Sequence, residues 1–166
     1  LPEGMVRGVH SANQLMGLLE KVSVMVVGPG LGDMAWGKSL LSVAANARQP
    51  QVWDADALNL LAAGHVTLPA DCVITPHPGE AARLMGISTA EVQADRLKVA
   101  RALSQKFNAV TVLKGAGSLI ASPDGRVARC DQGHPAMASA GLGDVLAGLT
   151  GALLAQGMPA FEAASL

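Results

Sequence analysis

The sequence predicts an α/β domain, a mostly parallel sheet with helices on both faces. Three observations carry this reading. Short runs that are apolar throughout recur along the chain, as strands covered on both faces require. Segments with helical spacing separate them, and a βαβ order implies parallel pairing through helical crossovers. The composition agrees: half of the 166 residues are hydrophobic, only 2% are aromatic, and 19 glycines allow close packing of a core built on Ala, Val, Leu and Met.

The elements follow in order. "SVMVV" at 23–27 reads as the first strand, and the glycine-rich turn "GPGLG" leads from it into a helix over 33–47. "PQVWDA" at 50–55 is the second strand, followed by a helix over 57–63. "CVIT" at 72–75 is the third, followed by helices over 79–85 and 89–106. "AVTVLK" at 109–114 is the fourth. The period then changes: "GSLIAS", the turn Pro123, Asp124, Gly125, and "RVARC" read as a β-hairpin. A last apolar helix is expected to start at Asp144.

The length suits one domain spanning 1–166. A net charge of -1, with no basic run and few stacking aromatics, argues against nucleic acid as a partner. No apolar run reaches the roughly 18 residues of a membrane span. The first residues do not resemble a signal peptide, so a cytoplasmic location is expected. Cys72 and Cys130 lie in apolar runs without metal-ligand spacing and read as reduced core residues. The chain starts at Leu1 without Met and ends in "FEAASL", which reads as helix, so the domain is expected to be incomplete at its N-terminus and its C-terminus.

Ligands of open parallel sheets bind beyond the carboxyl ends of the strands, so the loops there hold the candidate chemistry. "GDMAWGKS" at 32–39 matches GxxxxGK[ST] formally. Its first glycine is displaced from the strand end by "GPGL", and Trp36 stands where backbone would have to wrap phosphate. The match is therefore read as accidental and Lys38 as a solvated helix residue. Gly28, Gly30 and Gly32 fit either a tight turn or backbone passing close to a ligand. In "TPHPGE", His77 is framed by Pro76 and Pro78, which presents its ring from a rigid loop toward a ligand. Glu80 is either a surface acid complementing a helix dipole or the holder of a water on hydrated magnesium. In "KGAGS", Lys114 precedes a turn of Gly115, Ala116, Gly117 and Ser118. A cation beside free N–H groups suits a nucleotide phosphate, and a hairpin connection with a surface lysine is the plain alternative. Asp54 and Asp56 fit turn capping or a hydroxyl contact. In "GLGD", Gly141 and Gly143 precede Asp144 at a helix mouth. There unpaired N–H groups stabilise either a capping carboxylate or a phosphoryl group with a base beside it.

Taken together, "VVGPGLG", "DADALNLL", "VITPHPGEAARLMG", "TVLKGAGSLIASPDG" and "HPAMASAGLGDVLAGLTGALLAQG" resemble the ADP-dependent NAD(P)H-hydrate dehydratase family of the ribokinase-like superfamily, in order and over nearly the whole chain. The resemblance implies a ribokinase-like three-layer α/β fold. It also implies a repair reaction in which ADP, or ATP, phosphorylates hydrated NAD(P)H and elimination restores NAD(P)H. By that resemblance Asp144 is the base and contacts the substrate. Gly141 and Gly143 form the anion hole. Lys114, Gly115, Ala116, Gly117, Ser118 and Gly143 hold ADP or AMP. Gly30, Gly32 and His77 hold the substrate dinucleotide, and Glu80 holds Mg2+ through water. A homo-oligomer and a fused or paired NAD(P)H-hydrate epimerase domain are further implications. His134 and Ala136 depart from the family pattern, which has a polar residue and Gly there. A small-molecule kinase of the thiazole or pyridoxal type, and an inactive nucleotide-binding module, are the competing readings.

Overall fold

The computed structural model describes residues 4–133 and 139–166, and His134 and Ala136 lie outside them. One sheet runs in the order β1 (Met25–Val27), β2 (Gln51–Trp53), β3 (Cys72–Ile74), β4 (Val110–Leu113), β5 (Leu119–Ala121) and β6 (Val127–Arg129). β1 to β4 pair in parallel, with Val52 opposite both Val26 and Val73. The β5–β6 hairpin adds antiparallel to β4. The change of period after Lys114 thus marks the change of strand direction.

Strand order follows chain order, and right-handed crossovers then place every connecting helix on one face. That face carries α2 (Ala35–Ala45), α3 (Ala55–Ala62), α4 (Pro78–Met85), α5 (Thr89–Ala94) and α6 (Arg96–Phe107). Leu41, Leu58, Leu84, Val92 and Leu103 from these helices pack on Trp53, Ile74 and Leu113 of the sheet. The opposite face holds Val52, Val73, Val112 and Ile120. It is covered by α7 (Leu142–Ala155) and α8 (Ala160–Ser165) through Ala147 and Ala164. Both faces are covered, which is why the strands read as unbroken apolar runs.

The structure corrects several boundaries. The helix expected over 89–106 breaks at Asp95, whose carboxylate accepts from the Lys98 N–H and restarts the chain as α6. The helix expected from Asp144 is α7, which starts at Leu142 with Gly141 as its N-cap, so Asp144 lies within the first turn and is not the cap. Helix α1 (Ala12–Leu19) was not read from the sequence, whereas α8 falls on the terminal "FEAASL" that reads as helix. Cys72 is buried as expected, but Cys130 is exposed, just past the end of β6. Among the described residues no helix is long and apolar enough to cross a membrane.

A buried polar relay locks β2 to α2. The Trp53 indole N–H donates to Gln51 Oε1 and the Gln51 amide donates to the Ala44 carbonyl, each at 2.7 Å and with Gln51 and Trp53 fully buried. Trp53→Phe removes the donor and leaves Gln51 Oε1 without a partner. It should cost about 2–3 kcal/mol by orphaned-acceptor and packing arguments, read as a lower midpoint in urea unfolding.

Candidate active site

Backbone bonds stitch the strand ends into one edge. The Asp54 N–H donates to the Val27 carbonyl, the Thr75 N–H to Trp53, and the Lys114 N–H to Pro76, at 3.0, 3.1 and 2.9 Å. This brings the loops after four strands side by side, at the edge where open parallel sheets bind ligands. The Lys114 ammonium donates to Asp54 Oδ1 at 2.6 Å and lies 4.0 Å from Glu80 Oε2. Lys114 is therefore no surface lysine: its side chain is 19% exposed, and Asp54 and Glu80 are both buried. Ala55, directly after Asp54, takes a left-handed φ of 48°, a conformation that costs an L-residue about 1–3 kcal/mol and recurs at functional sites.

Glu80 and His77 form a reciprocal cap on α4. The His77 N–H donates to Glu80 Oε2 at 2.7 Å, while His77 Nδ1 accepts from Gly79 N–H at 3.0 Å and from Glu80 N–H at 3.4 Å. An accepting Nδ1 places the ring proton on Nε2, which faces Glu80 Oε1 at 3.5 Å. The plain reading of Glu80 as a surface acid is thus corrected, since the carboxylate is buried within this cap. Burial raises its pKa from the ordinary 4.5, helped by the charge of Asp54. The His77 N–H, the Lys114 ammonium and the His77 ring pull the other way. His77, read from the sequence as a ligand contact, spends its ring on capping, with about half of its surface left accessible.

The three glycines after β1 divide in role. A methyl on Gly28 would fall 1.7 Å from the Asp54 carbonyl oxygen, so Gly28 serves close packing between loops. Gly30 and Gly32, at φ 68° and 71°, have open space where a side chain would point. The Gly32 N–H is held by Asp56 Oδ2 at 2.8 Å, a brace the sequence left undecided. The formal P-loop closes on itself: a methyl on Gly37 would meet the Leu31 and Gly32 carbonyl oxygens at 2.4 and 2.8 Å. Carbonyls, not N–H groups, therefore face that glycine, which is the opposite of a phosphate cradle.

Beyond β4, Gly115 and Gly117 take φ values of 146° and 65°, and Ser118 Oγ closes the turn onto both the N–H and the carbonyl of Gly115. The start of α7 stands beside it. A methyl on Gly143 would sit 3.3 Å from Lys114 Nζ and 3.4 Å from Asp54 Oδ2. Gly141 takes φ 87° as the N-cap without a side chain; the Leu142 N–H reaches the Ser139 carbonyl at 3.5 Å, no side chain caps the turn among the described residues, and Asp144 is exposed on it. A groove of about 480 Å³ borders the "KGAGS" turn on its other side, between Arg96, Leu97, Gly117 and Arg129. Among the described residues no three metal-ligating side chains converge. Asp54 and Glu80 offer two hard oxygen donors with a lysine beside them, which fits a hydrated magnesium ion held through its waters better than a directly ligated one.

An open sheet with these loops at its carboxyl edge and a glycine-capped helix mouth closing them defines a ribokinase-like α/β domain. A ribokinase-like superfamily protein from Enterococcus faecalis matches it with a TM-score of 0.86 at 32% identity, over 98% of this chain and 58% of that one. The family profile of NAD(P)H-hydrate dehydratase matches residues 1–166, and the chain belongs to that family. The bifunctional NAD(P)H-hydrate repair enzyme Nnr of Escherichia coli is 48% identical over 163 residues, covering 98% of this chain and 31% of that protein. The ADP-dependent (S)-NAD(P)H-hydrate dehydratase of Neisseria meningitidis is 45% identical over 152 residues, covering 87% of this chain and 51% of its own length. A Bacillus subtilis ADP/ATP-dependent NAD(P)H-hydrate dehydratase, co-crystallised with ATP and Mg2+, matches with a TM-score of 0.74 at 29% identity, over 86% of this chain and 52% of that one. The chain thus spans about a third to a half of its curated relatives' length.

Two outcomes follow from the cap. His77→Ala should cost about 1 kcal/mol in urea unfolding, and His77→Asn, which keeps a short acceptor at the N-cap, should recover most of it. Because the Glu80 pKa is raised in the folded state, its contribution is complete below the ordinary value of 4.5 and is lost as pH rises through the raised value. The stability difference between wild type and Glu80→Gln should therefore move against wild type as pH increases from 4.5. A flat difference across that window contradicts the assignment.

Proposed function

We propose that this domain carries out the ADP-dependent dehydration of hydrated NADH or NADPH, releasing NAD(P)H, AMP and phosphate. One observation supports it most: the Lys114 side chain, which opens the "KGAGS" turn, reaches the first turn of α7 at Gly143, beside Asp54, with Asp144 exposed on the same turn. ADP phosphates fit this junction, where glycine N–H groups, a helix N-terminus and a cation converge. The names of the relatives supply the substrate class, and ATP remains a substitute phosphoryl donor.

Asp144 takes the proton from the ring hydroxyl as its oxygen forms a bond to the terminal phosphorus of ADP. The bond from that phosphorus to the bridging oxygen breaks and AMP leaves. The C–O bond then breaks with its electron pair leaving on phosphate, the neighbouring ring carbon gives its proton to solvent, and the C–H pair forms the double bond that restores the dihydronicotinamide. The N–H groups following Gly141 receive the negative charge of the moving phosphoryl group. Gly30, Gly32 and the accessible part of His77 face the substrate dinucleotide. Glu80, with Asp54 beside it, holds the water shell of Mg2+, which neutralises phosphate charge when bound. A homo-oligomer acting with an NAD(P)H-hydrate epimerase domain, in the cytoplasm, completes the reading.

Asp144→Asn should lower turnover by roughly a hundredfold to ten-thousandfold with ADP affinity retained, since the amide keeps the shape but takes no proton. Recovery of absorbance by reduced nicotinamide, started from hydrated NADH and ADP, measures it. Lys38→Ala is the control, expected to leave ADP affinity within about twofold. Near-wild-type turnover in Asp144→Asn would remove the base from the mechanism.

A further inference from the structure

Arg96 breaks two local rules. It is a cation at the first position of a helix, where the dipole favours anions, and the break at Asp95 that puts it there interrupts an otherwise helical run. Its contacts account for both. The guanidinium donates to three carbonyls of one loop: Ala116 at 2.6 Å, and Leu113 and Lys114 at 3.2 Å each. It also fills the space beside Gly115, where a methyl would meet Arg96 Nη2 at 2.8 Å.

We infer that Arg96 is a positioning residue, which braces the "KGAGS" turn so that its N–H groups face the phosphates of the nucleotide. The peptide unit is planar, and the N–H of each residue points opposite to the carbonyl before it. Fixing the carbonyls of Leu113, Lys114 and Ala116 on the guanidinium therefore turns the N–H groups of Lys114, Gly115 and Gly117 to the other side. Lys114 already follows this rule, since its N–H reaches the Pro76 carbonyl at 2.9 Å. The Gly115 N–H has only a 3.3 Å contact to Ser118 Oγ, and the Gly117 N–H has no acceptor among the described residues. The Gly117 N–H is left for an anion, and the long Gly115 contact is one that an anion can displace. A planar fork with five N–H donors can hold three carbonyls at once, whereas a lysine ammonium is a point donor on a flexible stem. The ADP part of this inference rests on the function proposed above; the brace itself does not.

Hydrogen–deuterium exchange and ADP titration calorimetry on wild type, Arg96→Ala and Arg96→Lys test it. In Arg96→Ala, exchange at 114–118 should speed up while the β2 and β3 amides stay at wild-type rates. ADP should bind about tenfold more weakly, a loss of about 1.4 kcal/mol. The KM for ADP should rise with kcat at saturating ADP within about twofold. Added methylguanidinium should restore ADP affinity to Arg96→Ala, which a general loss of stability would not allow. Arg96→Lys, the safer variant if the alanine form fails to fold, should lie between wild type and Arg96→Ala in exchange and in affinity. Wild-type exchange in the loop, or ADP affinity within twofold of wild type in both variants, overturns the inference. A wild-type protein that does not bind ADP overturns the proposed function instead, and the exchange rates then decide the brace alone.

Discussion

Removing a charge from water costs several kcal/mol unless a partner of good geometry replaces the lost hydration. Lys114 and Asp54 face that cost together, with Nζ 2.6 Å from Oδ1 and little of either side chain exposed. Their pairing ties the end of β4 to the end of β2, across β3. The backbone bond from Lys114 to Pro76 repeats the tie at the intervening strand. Everything at the carboxyl edge is placed relative to this pair. Glu80 stands 4.0 Å from the same ammonium, Gly28 packs on the Asp54 carbonyl, and Gly143 leaves room for both side chains at the mouth of α7.

The glycines of this edge answer to different demands. At Gly28 a side chain would run into the Asp54 carbonyl, so this glycine serves close approach, whereas at Gly143 a methyl would only touch the ends of Lys114 and Asp54. At Gly30, Gly32 and Gly141 the surroundings are open, and positive φ is what asks for glycine. Sequence shows both kinds as the same letter. Only the surroundings separate a glycine that packs from one that turns the chain.

Much of the fold was legible because the sheet is covered on both faces: "QVW", "CVI" and "VTVL" could not be solvated strands. The loops of the site were legible for a related reason, since Gly, Pro, His and Lys stand out against apolar strand ends. What stayed hidden depends on distance in sequence. Asp54 was visible as a turn residue, but its partner lies 60 positions away and no local spacing pairs them. Arg96 sits in a helical run with nothing to distinguish it from Arg101, and its target loop begins 17 residues later. The break at Asp95 was invisible because the apolar spacing carries through it, and capping by one carboxylate overrides that spacing. His77 was noticed for the prolines on either side, yet its capping role depends on Nδ1, which spacing does not reveal.

The charged and polar groups of the site fall into two sets, and the division bears on mechanism. Lys114, Asp54, Glu80, His77, Asp56 and Arg96 are all spent on fixed partners inside the edge. Asp144 stands exposed on the first turn of α7, whose N-cap is a glycine that brings no side chain to satisfy the helix N–H groups. Groups already paired need little reorganisation when charge moves nearby, and that is the condition under which fixed dipoles stabilise a transition state. A base, by contrast, must be free to take a proton, so a carboxylate with a permanent partner would be poorly suited to the task. The strain at Ala55, the buried acid at Glu80 and the misplaced cation at Arg96 each cost local stability. All three lie at the carboxyl edge: Ala55 follows Asp54, Glu80 caps α4, and Arg96 holds the "KGAGS" turn.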